Sequence, residues 1–160
     1  MTERRSSSVR PLTILESPEE IRLKTWLQLV RTFYRVHRRL VATLSERDIT
    51  LPQFDVLATL RFSEGVTQQE LAERLLVTKG NVTGVLDRLE IVTLVERRPD
   101  PGDARANRLY LTAAGRKKIE SILPRHDQLV LQILSGLTDS DIKTLRRLLA
   151  IVEGGASEIE

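Results

Sequence analysis

Between Thr67 and Arg105 lies a set of side chains suited to one chemistry, the recognition of a polyanion that presents hydrogen-bonding edges. Lys79, Asn81, Thr83 and Arg88 fall on or beside one face of a predicted helix, around Gly80 and Gly84. Lysine donates to guanine, asparagine addresses adenine, and a threonine methyl meets that of thymine. Each glycine costs a helix interior about 1 kcal/mol relative to alanine, which asks for a compensating role. Without side chains at Gly80 and Gly84 the helix can approach base edges closely. Thr67, Gln68 and Thr78, at helix starts, complete this set. Arg97 and Arg98 are placed for phosphate, which positions a protein on DNA without reading sequence. Asp103 and Arg105 can share one side of a turn, the carboxylate orienting the guanidinium. Asp87 would repel phosphate unless it holds a base, so its expected role is support.

The elements that must position these groups follow from local signals. Thr67 and Glu70 form a capping box, and Leu71, Ala72 and Leu75 follow at helical spacing. A short bend at Leu76 and Val77 leads to Thr78, an N-cap, after which Val82, Val85, Leu86 and Leu89 repeat with helical period. Two helices this close must cross steeply, as in a helix-turn-helix, whose second helix enters the major groove. The period then changes. Leu94 to Arg98 and Arg108 to Thr112 alternate apolar and polar residues around Pro99-Asp100-Pro101-Gly102-Asp103, predicting a hairpin with a charged tip, the wing of a winged helix.

This segment resembles the DNA-binding core of the multiple antibiotic resistance regulator (MarR) family. The resemblance is carried by TQQELAERL, by TKGNVTGVLDRLE and by LVERRPDPGDARANRLYLT, in which Asp103, Arg105, Leu111 and Thr112 match the family's D-x-R-x5-L-T wing signature. It implies a mainly α (α+β) winged helix-turn-helix fold flanked by dimerisation helices. It also implies a homodimeric transcriptional regulator, with Arg105 entering a minor groove and repression released by a small molecule. One position departs from the pattern: Thr93 stands where a glycine usually precedes the wing, which puts the helix C-cap and the wing angle in question.

The chain has 160 residues, 41% hydrophobic and only 4% aromatic, which favours aliphatic helix packing over a β-sandwich. Its net charge is +3, and the segment from Thr78 to Lys118 is locally rich in bases. With no cysteine there are no disulfides and no thiolate metal sites. His37 and His126 lack metal-ligand spacing, and neither a phosphate-binding glycine loop nor a nucleophile elbow is present, so the expectation is a non-enzyme without cofactor. No apolar run is long enough for a bilayer, and the expected location is cytoplasmic.

Outside the core, residues 1–16 read as a flexible arm, and residues 17–160 as a single winged-helix domain. Within it, residues 17–47 and 112–155 are expected to form dimerisation helices and residues 50–112 the DNA-binding core, with the wing over 94–112. Ser17 and Glu20 box the first helix, whose broad apolar stripe asks for cover from a second chain. Pro124 is expected to kink the long helix after the wing, and Gly154-Gly155 to end the last. The expected partners are double-stranded DNA with a near-palindromic operator and a second copy of the chain. Trp26, Phe33, Tyr34, His37, Phe54 and Phe62 are the candidate lining of a site for an aromatic effector. A winged helix that binds protein, and a DNA-binding regulator without a ligand, remain as alternatives.

Overall fold

The helix starts are built by one repeated device. Ser17 with Glu20, Thr50 with Gln53, Thr67 with Glu70 and Thr138 with Asp141 each exchange side-chain and backbone hydrogen bonds, while Thr78 and Thr112 accept from the N–H of Asn81 and Gly115. Each such cap stabilises its helix by about 1 kcal/mol. In the computed structural model, which describes residues 17–103 and 106–158, they open α1 (Pro18–Ser45), α2 (Leu51–Phe62), α3 (Gln68–Arg74), α4 (Lys79–Ile91), α5 (Ala113–Leu134) and α6 (Asp139–Ser157). The expected arm over residues 1–16 and the wing-tip Arg105 lie outside the described residues.

The helix ends share a device too. Asp48, Leu76 and Thr93 take left-handed φ values of 51°, 53° and 56°, each just beyond a helix. After α4 the Thr93 N–H donates to Glu90 O at 2.8 Å and the Leu94 N–H to Leu89 O at 2.8 Å, the paired bonds of a Schellman cap. Leu76 N to Glu73 O and Val77 N to Ala72 O, both 3.1 Å, repeat it after α3. Thr93 therefore makes the cap a glycine would make, and carries the steric cost itself. Among the described residues no left-handed position follows α6, which runs through Gly154 and Gly155 to Ser157 instead of stopping there. α5 is continuous through Pro124.

Three strands, β1 (Val66–Thr67), β2 (Val95–Pro99) and β3 (Asn107–Leu111), form an antiparallel sheet in the order β1-β3-β2. Val95 pairs with Leu111, Arg97 with Leu109, and Val66 with Leu109 across the other edge. Val95, Leu109 and Leu111 turn inward and are buried, while Arg98 and Asn107 face out. Under this sheet Val82, Leu86 and Leu89 of α4 pack into one core with Leu57 and Leu60 of α2, Leu71 of α3 and Ile119 of α5. Burying each such side chain is worth about 1.5 to 3 kcal/mol, which is what holds α4 against the body.

The chain divides into a smaller unit ending at Val36 and a larger one, His37–Glu160. In the described part of the smaller unit, Leu23, Trp26, Leu27, Phe33 and Tyr34 are exposed. In the larger, α6 buries no residue, and Leu145, Leu148, Leu149, Ile151 and Val152 along it are open to solvent. None of the described helices is long and apolar enough to cross a membrane.

Candidate nucleic-acid interface

The exposed side of α4 is set by what its buried side consumes. With Val82, Leu86 and Leu89 inside, Lys79, Gly80, Asn81, Gly84, Asp87 and Arg88 face outward. A Cβ built at Gly80 or Gly84 would meet nothing within 4 Å, so neither glycine is required by packing inside the chain. The start of α4 is pinned to α3: Gln68 donates to Lys79 O at 3.3 Å and to the Thr83 hydroxyl, which itself donates to Lys79 O at 2.9 Å. Thr67 and Thr78 have their hydroxyls committed to the caps of α3 and α4. Thr67, Gln68, Lys79, Arg97 and Asn107 line an open hollow of about 310 Å³ between the helix pair and the wing.

The wing is tied down by charge. Arg97 reaches back to α4, where it meets Asp87 at 2.9 Å and also Glu90, so the base that Asp87 holds is Arg97. Arg98 pairs with Glu96, and its guanidinium carbon lies 4.3 Å from the Tyr110 ring centroid. Both arginines are thus engaged within the wing and α4. At the tip, the Asp100 carboxylate accepts the Gly102 N–H at 2.7 Å and pairs with Arg108. The Gly102 hydrogen bond in particular, with help from Arg108, holds the Asp100 carboxyl below its usual range. Asp103 O accepts the Ala106 N–H at 2.9 Å, closing the tip on its far side.

Further groups position the wing through contacts between residues distant in sequence. Arg108 donates to Gly65 O at 2.6 Å. Glu64 accepts from Leu111 N at 3.0 Å and from Arg116 at 2.8 Å through both oxygens, so it clamps β3 and α5 to the end of α2. Desolvation raises the Glu64 carboxyl, but the Arg116 and Leu111 hydrogen bonds outweigh it and leave the group below its usual range. Glu64 and Arg116 lie too far apart in sequence for spacing to reveal the pair. The Asp100 to Gly102 bond, an Asx-turn, was readable in principle from Asp-x-Gly.

The proposed ligand-lining residues divide. Trp26, Phe33 and Tyr34, with Leu29 and Val30, shape a shallow apolar hollow of about 390 Å³, and the Phe33 and Tyr34 rings meet edge-on at 5.6 Å. In the larger unit Phe54 is buried, its ring 4.6 Å from that of His126, whereas Phe62 at the end of α2 is 78% exposed. His37 is half-buried.

A winged helix-turn-helix with this wing is also what comparison with known proteins returns. The sequence profile of the MarR family matches residues 47–106. The multiple antibiotic resistance protein MarR of Salmonella typhimurium is 35% identical over 77% of this chain and 89% of its own length. A mutant of MarR from E. coli, solved complexed with operator DNA, is 34% identical, with a TM-score of 0.73 over 84% of this chain and 95% of that one. BpsR of Bordetella bronchiseptica, whose DNA binding is regulated by 6-hydroxynicotinic acid, is 25% identical, with a TM-score of 0.66 over 79% of this chain and 98% of that one.

Proposed function

Because the chain belongs to the MarR family of winged-helix transcriptional regulators, we propose that it acts as a homodimeric repressor that binds a near-palindromic operator and is released by a small organic effector. The observation that carries the DNA reading is the open face of α4. Gly80 leaves its backbone bare between Lys79 and Asn81, and Gly84 does so one turn further on, in the helix that a helix-turn-helix inserts into the major groove. Lys79 and Asn81 read base edges there, Thr83 offers its methyl group, and Arg88 flanks the face. Thr67, Gln68 and Thr78 hold the pair of helices against the backbone. Arg98 and Arg97 meet phosphate from the wing, and Asp103 orients Arg105 towards the minor groove.

The dimer is supported by the apolar residues that α1 and α6 leave uncovered, such as Trp26, Leu27, Leu148 and Ile151. A two-fold axis through that interface places two copies of α4 about one helical turn of DNA apart, roughly 10 bp. The effector reading draws on the relative regulated by 6-hydroxynicotinic acid and on the exposed aromatic hollow of Trp26, Phe33 and Tyr34. His37, Phe54 and Phe62 belong to the larger unit and are not among the residues that line that hollow. An effector that favours one separation of the recognition helices shifts the population able to span both half-sites.

Selection of genomic fragments by the purified protein, followed by footprinting, tests this function. The expected product is an inverted repeat protected on one face of the duplex, with one dimer bound per site by sedimentation. Enrichment of no common sequence, or a monomer at micromolar concentration that binds DNA as well as the bulk sample, overturns it.

A further inference from the structure

A third hollow, of about 340 Å³, lies beneath α4, between α2 and the turn that joins α3 to α4. The cap at Leu76 makes it. With Leu76 left-handed and turned out to 83% exposure, Leu75 and Val77 on either side form one wall. Val56 and Val85 form the others, from α2 and α4. The volume sits near the lower end of the roughly 300 to 1,000 Å³ typical of small-molecule sites. Against this apolar lining stand an amide, Asn81, and a carboxylate, Asp55.

Asp55 is half-buried, and no described residue donates it a hydrogen bond. Its carboxylate is only partly withdrawn from water, and a cation seated in the hollow would meet it directly. Among the described residues, the groups that act on Asp55 electrostatically are His126 on α5 and His37 on α1. Burial nevertheless pushes the Asp55 carboxyl above its usual range, against the pull of both histidines. Among the described residues no lysine or arginine pairs with Asp55, so the hollow presents one carboxylate among largely apolar walls.

We propose that this hollow binds a small organic cation with an apolar body, with Asp55 as its counter-ion and Asn81 as a second polar contact. The choice of charge follows from the lining: an anion would face Asp55 with no base in the wall, and a neutral compound would leave the carboxylate as it stands. Because Asn81 and Val85 belong to α4, an occupant touches the helix whose outer face is proposed to read DNA. This coupling rests on that reading, whereas binding itself does not.

The test uses three molecules of one shape, 2-phenylethylammonium, 2-phenylethanol and phenylacetate, added without DNA to the full-length protein at pH 8. Methyl and amide resonances of Leu75, Val77, Val85 and Asn81 locate the binding by NMR. The expected order is cation, then alcohol, then anion, with the cation at least tenfold tighter than the alcohol. Asp55→Asn should bring cation and alcohol level while leaving alcohol affinity unchanged, which shows the hollow intact. Equal binding of the cation and the alcohol by the parent protein, shifts confined to other residues, or a cation preference that survives Asp55→Asn overturns the proposal. No arm involves DNA, so the result is separate from that of operator selection.

Discussion

The Thr112 hydroxyl donates to Thr93 O at 2.6 Å and accepts the Gly115 N–H at 3.0 Å, so one side chain joins the end of α4 to the start of α5. The Thr112 N–H adds a bond to Leu94 O at 3.2 Å. The wing leaves and re-enters the body between these two residues. Its base is therefore fixed to both helices, and α4 cannot tilt without pulling on α5. Replacing Thr112 by valine removes the cap and the strut while keeping the shape, and should destabilise by about 1 to 2 kcal/mol. Serine should restore most of it. Urea unfolding with an unchanged m-value is the measurement.

Thr93 stores strain at the same joint. A left-handed L-residue costs roughly 1 to 2 kcal/mol, and threonine brings a β-branch to it. Glycine relieves that strain and loses some of the gain to its own unfolded-state entropy, so Thr93→Gly should stabilise by about 0.5 to 1 kcal/mol. A lower urea midpoint for this variant would show that the threonine side chain makes a contact worth more than the strain.

The glycines separate packing from function. A Cβ on Gly115 would stand 1.9 Å from Leu94 O, so Gly115→Ala must force α5 away from the wing base and should cost about 3 kcal/mol or more. Gly80→Ala and Gly84→Ala meet open space and should raise helix stability by up to about 1 kcal/mol each. If their bareness serves close approach to DNA, the same two variants lose operator affinity while gaining thermal stability. Alanine variants that gain both would remove the functional reading of these glycines.

How far the sequence disclosed this design depends on the range of the interaction. The caps at Ser17, Thr67, Thr78 and Thr138, the helix pair and the hairpin depend on residues within one turn of each other, and all were readable. β1 is two residues long, too short to show a strand period, and its pairing with β3 becomes visible only in three dimensions. Beyond α2 the positive φ falls on a glycine, Gly65, but the left-handed positions after α1, α3 and α4 fall on Asp48, Leu76 and Thr93, none of them the residue that normally marks such a site. In α6 the opposite holds: Gly154 and Gly155 advertise an end that the backbone does not make. The pairing of Arg97 with Asp87 and Glu90 was not legible, because those acids sit on another element. Asp55 drew no notice, since a carboxylate inside a predicted amphipathic helix reads as surface.

Two carboxyls predict opposite responses to pH. Glu64 is held below its usual value in the folded state, so the stability it contributes is complete above the unfolded value of 4.5 and is lost as pH falls through the folded one. Glu64→Gln should flatten the acid limb of the stability curve. Asp55 is raised by burial, against His126 and His37, so folding is favoured while it is protonated, and that advantage is lost as pH rises through its folded value. Asp55→Asn should therefore stabilise the protein at neutral pH, by an amount that shrinks on acidification. Chemical denaturation from pH 3 to pH 8 reads both, and parallel curves for parent and variants would contradict both assignments.

The last expectation concerns which contacts read sequence and which only hold the duplex. Lys79→Ala and Asn81→Ala each remove an exposed group from the bare face of α4, and should cost about 1 to 3 kcal/mol on the operator with little change on random DNA. Arg98 already pairs with Glu96 and stacks on Tyr110, so under the proposed reading it is a cation ordered in advance for phosphate. Arg98→Ala should weaken all sequences alike and reduce the slope of log affinity against log salt by about 1. Asp87 adds the opposite sign, because its carboxylate faces outward beside Arg97. Asp87→Asn removes a charge that repels phosphate, so affinity for random DNA should rise and the ratio of operator to random affinity should fall. Salt titrations of the four variants on operator and on scrambled duplex separate these outcomes. Uniform losses for Lys79→Ala and Asn81→Ala across both duplexes would reassign them from base edges to phosphate, and an unchanged Asp87→Asn would place the duplex farther from the middle of α4.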